Sequence, residues 1–131
     1  MMKVLVLCVD RDDDFGEKAG ITSPIIGRQD NLRAAISLGL NDPEDSDVNA
    51  LFAALKAYDE LVEVDDVEIA TICGDKDVGQ RSDRVLATQL ENVLNDVKPD
   101  SVTFVTDGAE DESEDTDVDD IIKEIEDLED F

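Results

Sequence analysis

The sequence predicts an α/β domain, and three observations lead to that prediction. Three short apolar runs have the composition of buried strands, each run ends in a turn that carries Asp, and segments with helical spacing of apolar residues lie between the runs. Strands that alternate with helices form parallel sheets through right-handed crossovers. We therefore expect a three-layer, Rossmann-like domain with a small parallel sheet and helices on both faces. A length of 131 residues fits one such domain.

The predicted strands cover residues 3–9, 67–73 and 101–106. Each is a mostly apolar run rich in Val, Ile or Leu, which is typical of parallel strands that are buried on both faces. We expect the first strand to be central. Because three strands make a small sheet, self-association at an exposed edge strand, and hence a homo-oligomer, is also expected.

Three segments have apolar residues at spacings of three and four, which predicts amphipathic helices. Ser, Asp and Asn are preferred N-caps and mark the predicted starts. These starts are Asp30 or Asn31, Ser46 or Asp47, and Ser82 or Asp83. Residues 10–29 lack clear periodicity, but they contain three isoleucines. We therefore expect that long connection to fold over the sheet edge instead of staying disordered.

The charge balance is the least ordinary property of the sequence. It has 36 acidic and 11 basic residues, a formal net charge of −25, and 24 of the acids are Asp. Nucleic acid and anionic membrane surfaces attract proteins with a positive footprint, so direct binding to either is not expected. The acidity indicates adaptation to high salt, because salt screens the self-repulsion of the chain. An acidic surface for a cationic partner is the alternative.

Cys8 and Cys73 are the two cysteines, and the chain has no His. A zinc site built from Cys and His is therefore not expected. Each Cys lies at the end of an apolar run, so we expect reduced, buried thiols in a cytoplasmic protein, with a redox pair as the alternative. No apolar stretch approaches the roughly 20 residues of a transmembrane helix, so no membrane span is expected.

The composition changes near residue 107. Residues 107–131 contain fourteen acids and one Lys, yet apolar residues keep helical spacing there. We divide the chain into an α/β domain over residues 1–112 and an acidic C-terminal helix or tail over residues 113–131. This segment could dock on the domain as a helix, bind a partner, or remain a solvated tail.

Acidic residues follow each predicted strand. Parallel α/β domains bind ligands outside the carboxyl ends of their strands. Carboxylates are hard ligands for Mg²⁺, which takes one or two of them together with water and phosphate oxygens. The candidate metal ligands are Asp10, Asp12, Asp107 and Glu110. The same turns also carry Asp13, Asp14, Asp75, Asp77 and Asp111, and residues 44–47 could join them from the start of the second helix.

Basic residues are scarce, and seven of the eleven lie in or near the predicted edge loops. Arginine binds phosphate and carboxylate through two parallel hydrogen bonds, and a helix N-terminus accepts anions. We therefore expect a small anionic ligand at this edge. Its candidate ligands are Arg11, Arg28, Arg81 and Ser82. Local pairing of each arginine with a nearby Asp is the alternative.

Four segments, in order along the chain, resemble one known family. They are residues 4–14 (VLVLCVDRDDD), 24–28 (PIIGR), 42–49 (DPEDSDVN) and 105–112 (VTDGAEDE). Together they cover about residues 3–112 and resemble the archaeal domain-of-unknown-function family 373 (DUF373). The resemblance implies an archaeal protein and supplies no established activity. It also implies a continuation into strand-like sequence and a predicted membrane region, so the chain is expected to be a shortened relative or a piece of a longer protein.

Three functions stay open at this point. The first is a binding or regulatory domain for a small anionic, phosphorylated ligand held with a divalent cation. The second is a Mg²⁺-dependent phosphoesterase in which Asp10, Asp12 and Asp107 bind the metal and a carboxylate replaces His as the general base. The third is a non-catalytic structural or interaction protein whose terminal helix docks on a partner.

Overall fold

The computed structural model describes residues 2–77, 79–106, 109–113 and 120–123, with the backbone alone for residues 106 and 109–113. Its elements follow one another as β1 (Lys3–Asp10), α1 (Asp14–Ala19), β2 (Ile25–Ile26), α2 (Arg28–Asn41), α3 (Ser46–Leu61), β3 (Asp66–Cys73), α4 (Gln80–Val97), β4 (Ser101–Thr106) and β5 (Ala109–Ser113). Residues 120–123 are helical.

The strands form one sheet in the order β2-β3-β1-β4-β5. Central β1 runs parallel to β3 on one side and to β4 on the other. The α/β prediction and the central position of the first strand are therefore confirmed. The sheet is mixed, however, because β2 and β5 add antiparallel pairs at its two edges. Neither edge strand was predicted, since β2 has two residues and β5 has an acidic sequence without apolar alternation.

The two faces of β1 lie in two separate cores, so helices cover both faces of the sheet. Val4, Val6 and Cys8 pack in a core with α1, α2 and α3. The alternate residues of β1, which are Leu5, Leu7 and Val9, pack in a second core with α4 and Ile121. Every one of these six side chains is at least 95% buried, as expected for a central parallel strand.

Two of the predicted helix starts fall too late. The helices α2 and α4 begin at Arg28 and Gln80, directly after Gly27 and Gly79. Both glycines have positive φ angles, at 94° and 141°, a conformation that side chains disfavour. Asn31, predicted as a possible cap, is instead buried inside α2. The start of α3 at Ser46 agrees with the prediction, and Asp45 caps it.

The described part of the C-terminal segment is packed on the domain. Ile121 is fully buried in the second core, and Ile122 packs against it. Among the three alternatives for this segment, docking is the one that applies to residues 120–123. No helix in the described ranges is both long and apolar enough to cross a membrane.

Candidate metal centre

Four carboxylates meet at the carboxyl end of β1. Asp10, Asp12, Asp14 and Asp47 each offer an oxygen atom, and these oxygens all lie within 4.8 Å of one another. Asp10 is the last residue of β1, Asp12 lies in the following turn, Asp14 opens α1, and Asp47 lies in the first turn of α3. The set therefore depends on the packing of β1, α1 and α3, and it occupies the edge at which parallel sheets bind ligands.

Asp10 is held by the first turn of α1. Its carboxylate is fully buried and accepts hydrogen bonds from the backbone N–H groups of Asp14, at 3.1 Å, and Phe15, at 2.9 Å. Asp13 makes this turn possible by adopting a left-handed conformation and accepting a hydrogen bond from Gly16 N at 3.1 Å. The Asp-rich segment at the end of β1 thus supplies the last residue of the strand, the N-cap of α1 and three carboxylates of the cluster.

The turn after β1 is also fastened to the end of β3. Gly74 N donates to the carbonyl of Asp10 at 2.8 Å. The buried Ser82 hydroxyl donates to the carbonyl of Arg11 and accepts from Asp75 N at 3.1 Å. A Cβ atom at position 74 would collide with the Ser82 hydroxyl and the Arg11 carbonyl, so Gly is required there. These contacts fix the backbone that carries Asp10 and Asp12.

Asp47 is placed by the start of α3. Asp45 is the N-cap of that helix, and its carboxylate accepts from Asp47 N at 2.9 Å. The other oxygen of Asp45 accepts from Lys18 Nζ at 2.7 Å. Because Lys18 belongs to α1, this chain of contacts joins the two helices that supply Asp14 and Asp47.

Burial and mutual repulsion favour protonation of the cluster. Burial raises the pKa of Asp10 to about 7, against the two backbone N–H groups that lower it. Burial, followed by the charge of Asp10, raises the pKa of Asp47 to about 10. Burial also raises the pKa of Asp14. Asp45 differs, because hydrogen bonds from Lys18 and Asp47 N outweigh its burial and lower its pKa.

A second set, Asp10, Asp13 and Cys73, also brings potential ligand atoms within 4.8 Å of one another. Cys73 is a poor metal ligand here, since burial and then the charge of Asp10 raise the pKa of its thiol, and metals bind the thiolate. Cys8 and Cys73 are both free and buried, which confirms the prediction of buried thiols. The all-oxygen set matches the preference of Mg²⁺ for hard ligands.

The structure brings together two of the four metal ligands predicted from sequence, Asp10 and Asp12. Asp107 lies outside the described residues. The backbone of Glu110 pairs with Val105 in the sheet, and the side chain of Glu110 lies outside the described part. The remaining two members of the cluster, Asp14 and Asp47, are among the neighbouring acids of the sequence prediction and not among its four candidate ligands, although both stand at predicted helix or strand ends.

The predicted anion ligands make contacts within the protein. The Arg11 guanidinium donates to Asp83 at 3.2 Å, and the Arg81 guanidinium lies 3.3 Å from Asp75. Arg28 binds both oxygens of Asp59, at 2.7 and 3.0 Å. Asp59 is twelve residues beyond Asp47 in α3, roughly 18 Å along the helix axis. Local pairing accounts for these arginine contacts, and the geometry separates Arg28 from the cluster.

Most of the chain is similar in sequence to known proteins. The family model described as "Domain of unknown function (DUF373)" matches residues 3–122. The chain belongs to the DUF373 family. The predicted resemblance is thereby confirmed, and the match extends past residue 112 to include the buried Ile121.

Two relatives of this DUF373 chain are archaeal proteins that are described as uncharacterized. An uncharacterized protein of Archaeoglobus fulgidus is 57% identical over 113 residues, which are 86% of this chain and 33% of that protein. An uncharacterized protein of Methanocaldococcus jannaschii is 51% identical over 110 residues, which are 82% of this chain and 30% of that protein. The chain thus spans about a third of the length of these relatives. No solved structure matches it.

Proposed function

We propose that this DUF373 domain binds a divalent cation, with Mg²⁺ as the candidate, through Asp10, Asp12, Asp14 and Asp47, and that the cation holds a small anionic, phosphorylated ligand. The convergence of four carboxylates from β1, the turn after it, α1 and α3 is the observation that carries the proposal. It gives one compact set of oxygen ligands at the usual ligand-binding edge of a parallel sheet.

Electrostatics supports a cation at this position. Two unit charges 4 Å apart repel by about 4 kcal/mol at the effective dielectric near a protein surface. Without a counter-ion, the cluster relieves that repulsion by taking up protons, in keeping with the raised pKa values of Asp10 and Asp47. A divalent cation would replace those protons and satisfy the carboxylate oxygens directly.

The anionic ligand follows from the chemistry of the cation. Protein-bound Mg²⁺ keeps several waters, and phosphate oxygens commonly replace some of them. Among the described residues, the acidic cluster by itself would repel a phosphate, so the cation must come first. Arg11 and Arg81 flank the neighbouring turn and remain candidate contacts for the anion, although both now pair with Asp side chains.

Cation-induced stabilisation tests this proposal. Thermal unfolding of the wild-type chain would be followed with Mg²⁺ or Mn²⁺, in low and in high KCl, against chelated controls. A cation at about 100 times its dissociation constant adds about 2.7 kcal/mol to the unfolding free energy. Asp10→Asn and Asp12→Asn should remove that gain, whereas Asp96→Asn, at an exposed position on α4, should keep it. No stabilisation of the wild type by either cation would refute the proposal.

Phosphoester hydrolysis is a second candidate, because a cation held by the cluster would lower the pKa of a bound water and so supply a nucleophilic hydroxide. A carboxylate beside the cation that does not coordinate it would then take the place of His as the general base. Hydrolysis of p-nitrophenyl phosphate that needs Mg²⁺ and is lost in Asp12→Asn would support this activity. Cation binding without hydrolysis would leave the domain as a binding module, and neither would favour a purely structural or interaction role.

A further inference from the structure

Lys18 stands at the junction between the two helices that supply the cluster. Its ammonium nitrogen lies 2.7 Å from Asp45, 2.9 Å from Asp42 and 3.7 Å from Asp14. Asp14 opens α1, and the other two precede α3. One cation on α1 therefore bridges a member of the acidic cluster and the segment that begins α3.

Asp45 transmits this contact to the cluster. Its side chain is only 3% exposed, while that of Lys18 is 40% exposed. One Asp45 oxygen accepts from Lys18, and the other accepts from Asp47 N at 2.9 Å. A buried carboxylate needs a charged partner and full hydrogen bonding. Only the Asp45 side chain therefore lies between the Lys18 ammonium group and the backbone N–H of Asp47, a proposed cation ligand.

We propose that Lys18 is a positioning residue for the cation site: through Asp45 it fastens the first turn of α3 to α1 and so keeps Asp47 within reach of Asp10 and Asp14. This inference rests on the proposed cation-binding function. Removal of a group that hydrogen-bonds to a metal ligand and orients it typically weakens metal binding by about 10–100-fold.

The direction in which cation affinity changes when Lys18 is removed distinguishes a positioning role from a purely electrostatic one. Lys18 is positive and lies 3.7 Å from Asp14, so its charge alone opposes a cation at the cluster. If Lys18 acted only through charge, its removal would strengthen cation binding. If Lys18 positions Asp47, its removal should weaken cation binding, because the displacement of Asp47 then outweighs the relief of charge repulsion.

The experiment is a titration of the full chain with Mn²⁺, followed by electron paramagnetic resonance of the free ion. We expect Lys18→Gln to weaken Mn²⁺ binding by about 10–100-fold, and Lys18→Arg, which keeps charge and donors, to restore most of it. Asp45→Asn should also weaken binding, since it keeps the helix cap but loses the charge that holds Lys18. The double variant should be no weaker than Lys18→Gln, because both changes break one link.

Lys56→Gln is the matched control, since it removes one positive charge from an exposed position on α3. Its Mn²⁺ affinity should equal that of the wild type. If Lys18→Gln fails to fold, Lys18→Met, which also removes the charge and the donors but keeps an apolar side chain of similar length, takes its place. Wild-type binding with unchanged or tighter binding in Lys18→Gln, or in Asp45→Asn, would overturn the role of Lys18 and leave the cation site standing. A wild-type chain that binds no Mn²⁺ would overturn both.

Discussion

Asp10 and Asp47 bring their carboxyl groups together across the junction of β1 and α3, where burial and then the charge of Asp10 raise the pKa of Asp47. Asp10 is the last residue of a buried strand, and Asp47 lies in the first turn of a helix. Neither position is unusual alone. Their proximity makes the unfolding free energy and the cation affinity of the domain depend on pH within a range that ordinary Asp residues do not affect.

Asp47→Asn should stabilise the cation-free domain at neutral pH. The pKa of Asp47 is about 10 in the folded state and about 4 when unfolded, so between those values the folded state holds a proton that the unfolded chain lacks. The unfolding free energy therefore falls as pH rises through that window. Asn carries no such penalty, and we expect a gain on the order of 1–3 kcal/mol near pH 7.

Urea unfolding with a chelator, at several pH values between about 5 and 9, would measure that gain and its pH dependence. The Asp47→Asn curve should be flatter than the wild-type curve. Asp96→Asn should follow the wild type, and a destabilised Asp47→Asn would contradict the buried, protonated state of Asp47.

Cation affinity should rise with pH. Metal ligands must be deprotonated, and burial raises the pKa of Asp10 to about 7. Binding at about pH 6 must therefore displace the proton of Asp10, which is largely absent at about pH 8, whereas the proton of Asp47, with a pKa of about 10, must be displaced at both. Calorimetric titration with Mg²⁺ in buffers of different ionisation enthalpy would count the protons released. An affinity independent of pH over this range would show that Asp10 is not a ligand.

Gly74→Ala should be strongly destabilising. The added Cβ atom would collide with the Ser82 hydroxyl, on α4, and with the Arg11 backbone carbonyl, in the turn after β1. Overpacking of this kind costs about 1–3 kcal/mol, and we expect the upper part of that range. Gly39→Ala is the control, because Gly39 lies inside α2 and its added Cβ would make an ordinary contact with Val48 of α3 at 3.5 Å. This substitution should stabilise the domain by up to about 1 kcal/mol. Chemical unfolding of both variants makes the comparison.

Ser82→Ala tests whether Ser82 serves as a structural hydrogen-bonding residue or as a ligand for the anion. The Ser82 hydroxyl links the Arg11 carbonyl to Asp75 N, so the substitution removes both hydrogen bonds from a partly buried position. We expect a loss of about 1–3 kcal/mol in unfolding free energy. Anion binding to the cation-loaded domain should persist once the variant is folded. Full stability with lost anion binding would restore Ser82 as a ligand.

Ile121→Ala tests the docking of the C-terminal segment. Ile121 is fully buried in the core beside α4, so truncation to Ala should cost about 2–5 kcal/mol. Ile36→Ala is a suitable comparison, because Ile36 is 48% exposed on α2 and should matter much less. Equal unfolding free energies for the two variants would mean that residues 120–123 contribute little to the folded state.

The three parallel strands were predictable because β1, β3 and β4 are short apolar runs, and a parallel strand buried on both faces leaves that pattern in the sequence. The edge strand β2 was not, since Ile25 and Ile26 pair with β3 only through tertiary packing. The starts of α2 and α4 were misplaced because Gly27 and Gly79 cap them through backbone conformation without a side-chain signal.

The candidate site was half predictable for a related reason. Asp10 and Asp12 directly follow a buried strand, and the ligand-binding edge of parallel sheets makes that position informative. Asp47 could not be chosen on spacing, because many acids stand at helix starts in this sequence and only the packing of α3 against β1 brings this one to Asp10. The pairing of Arg28 with Asp59 was equally invisible, since it depends on how α2 lies beside α3.

The central position of β1 also bears on how the domain folds. Lys3, on β1, contacts Asp100, 97 residues later in the chain, just before β4. Contacts between residues so far apart in sequence slow folding, because closing a long loop costs entropy before the contact can stabilise the chain. The strand that ends in Asp10 thus waits for its second neighbour until β4 is in place.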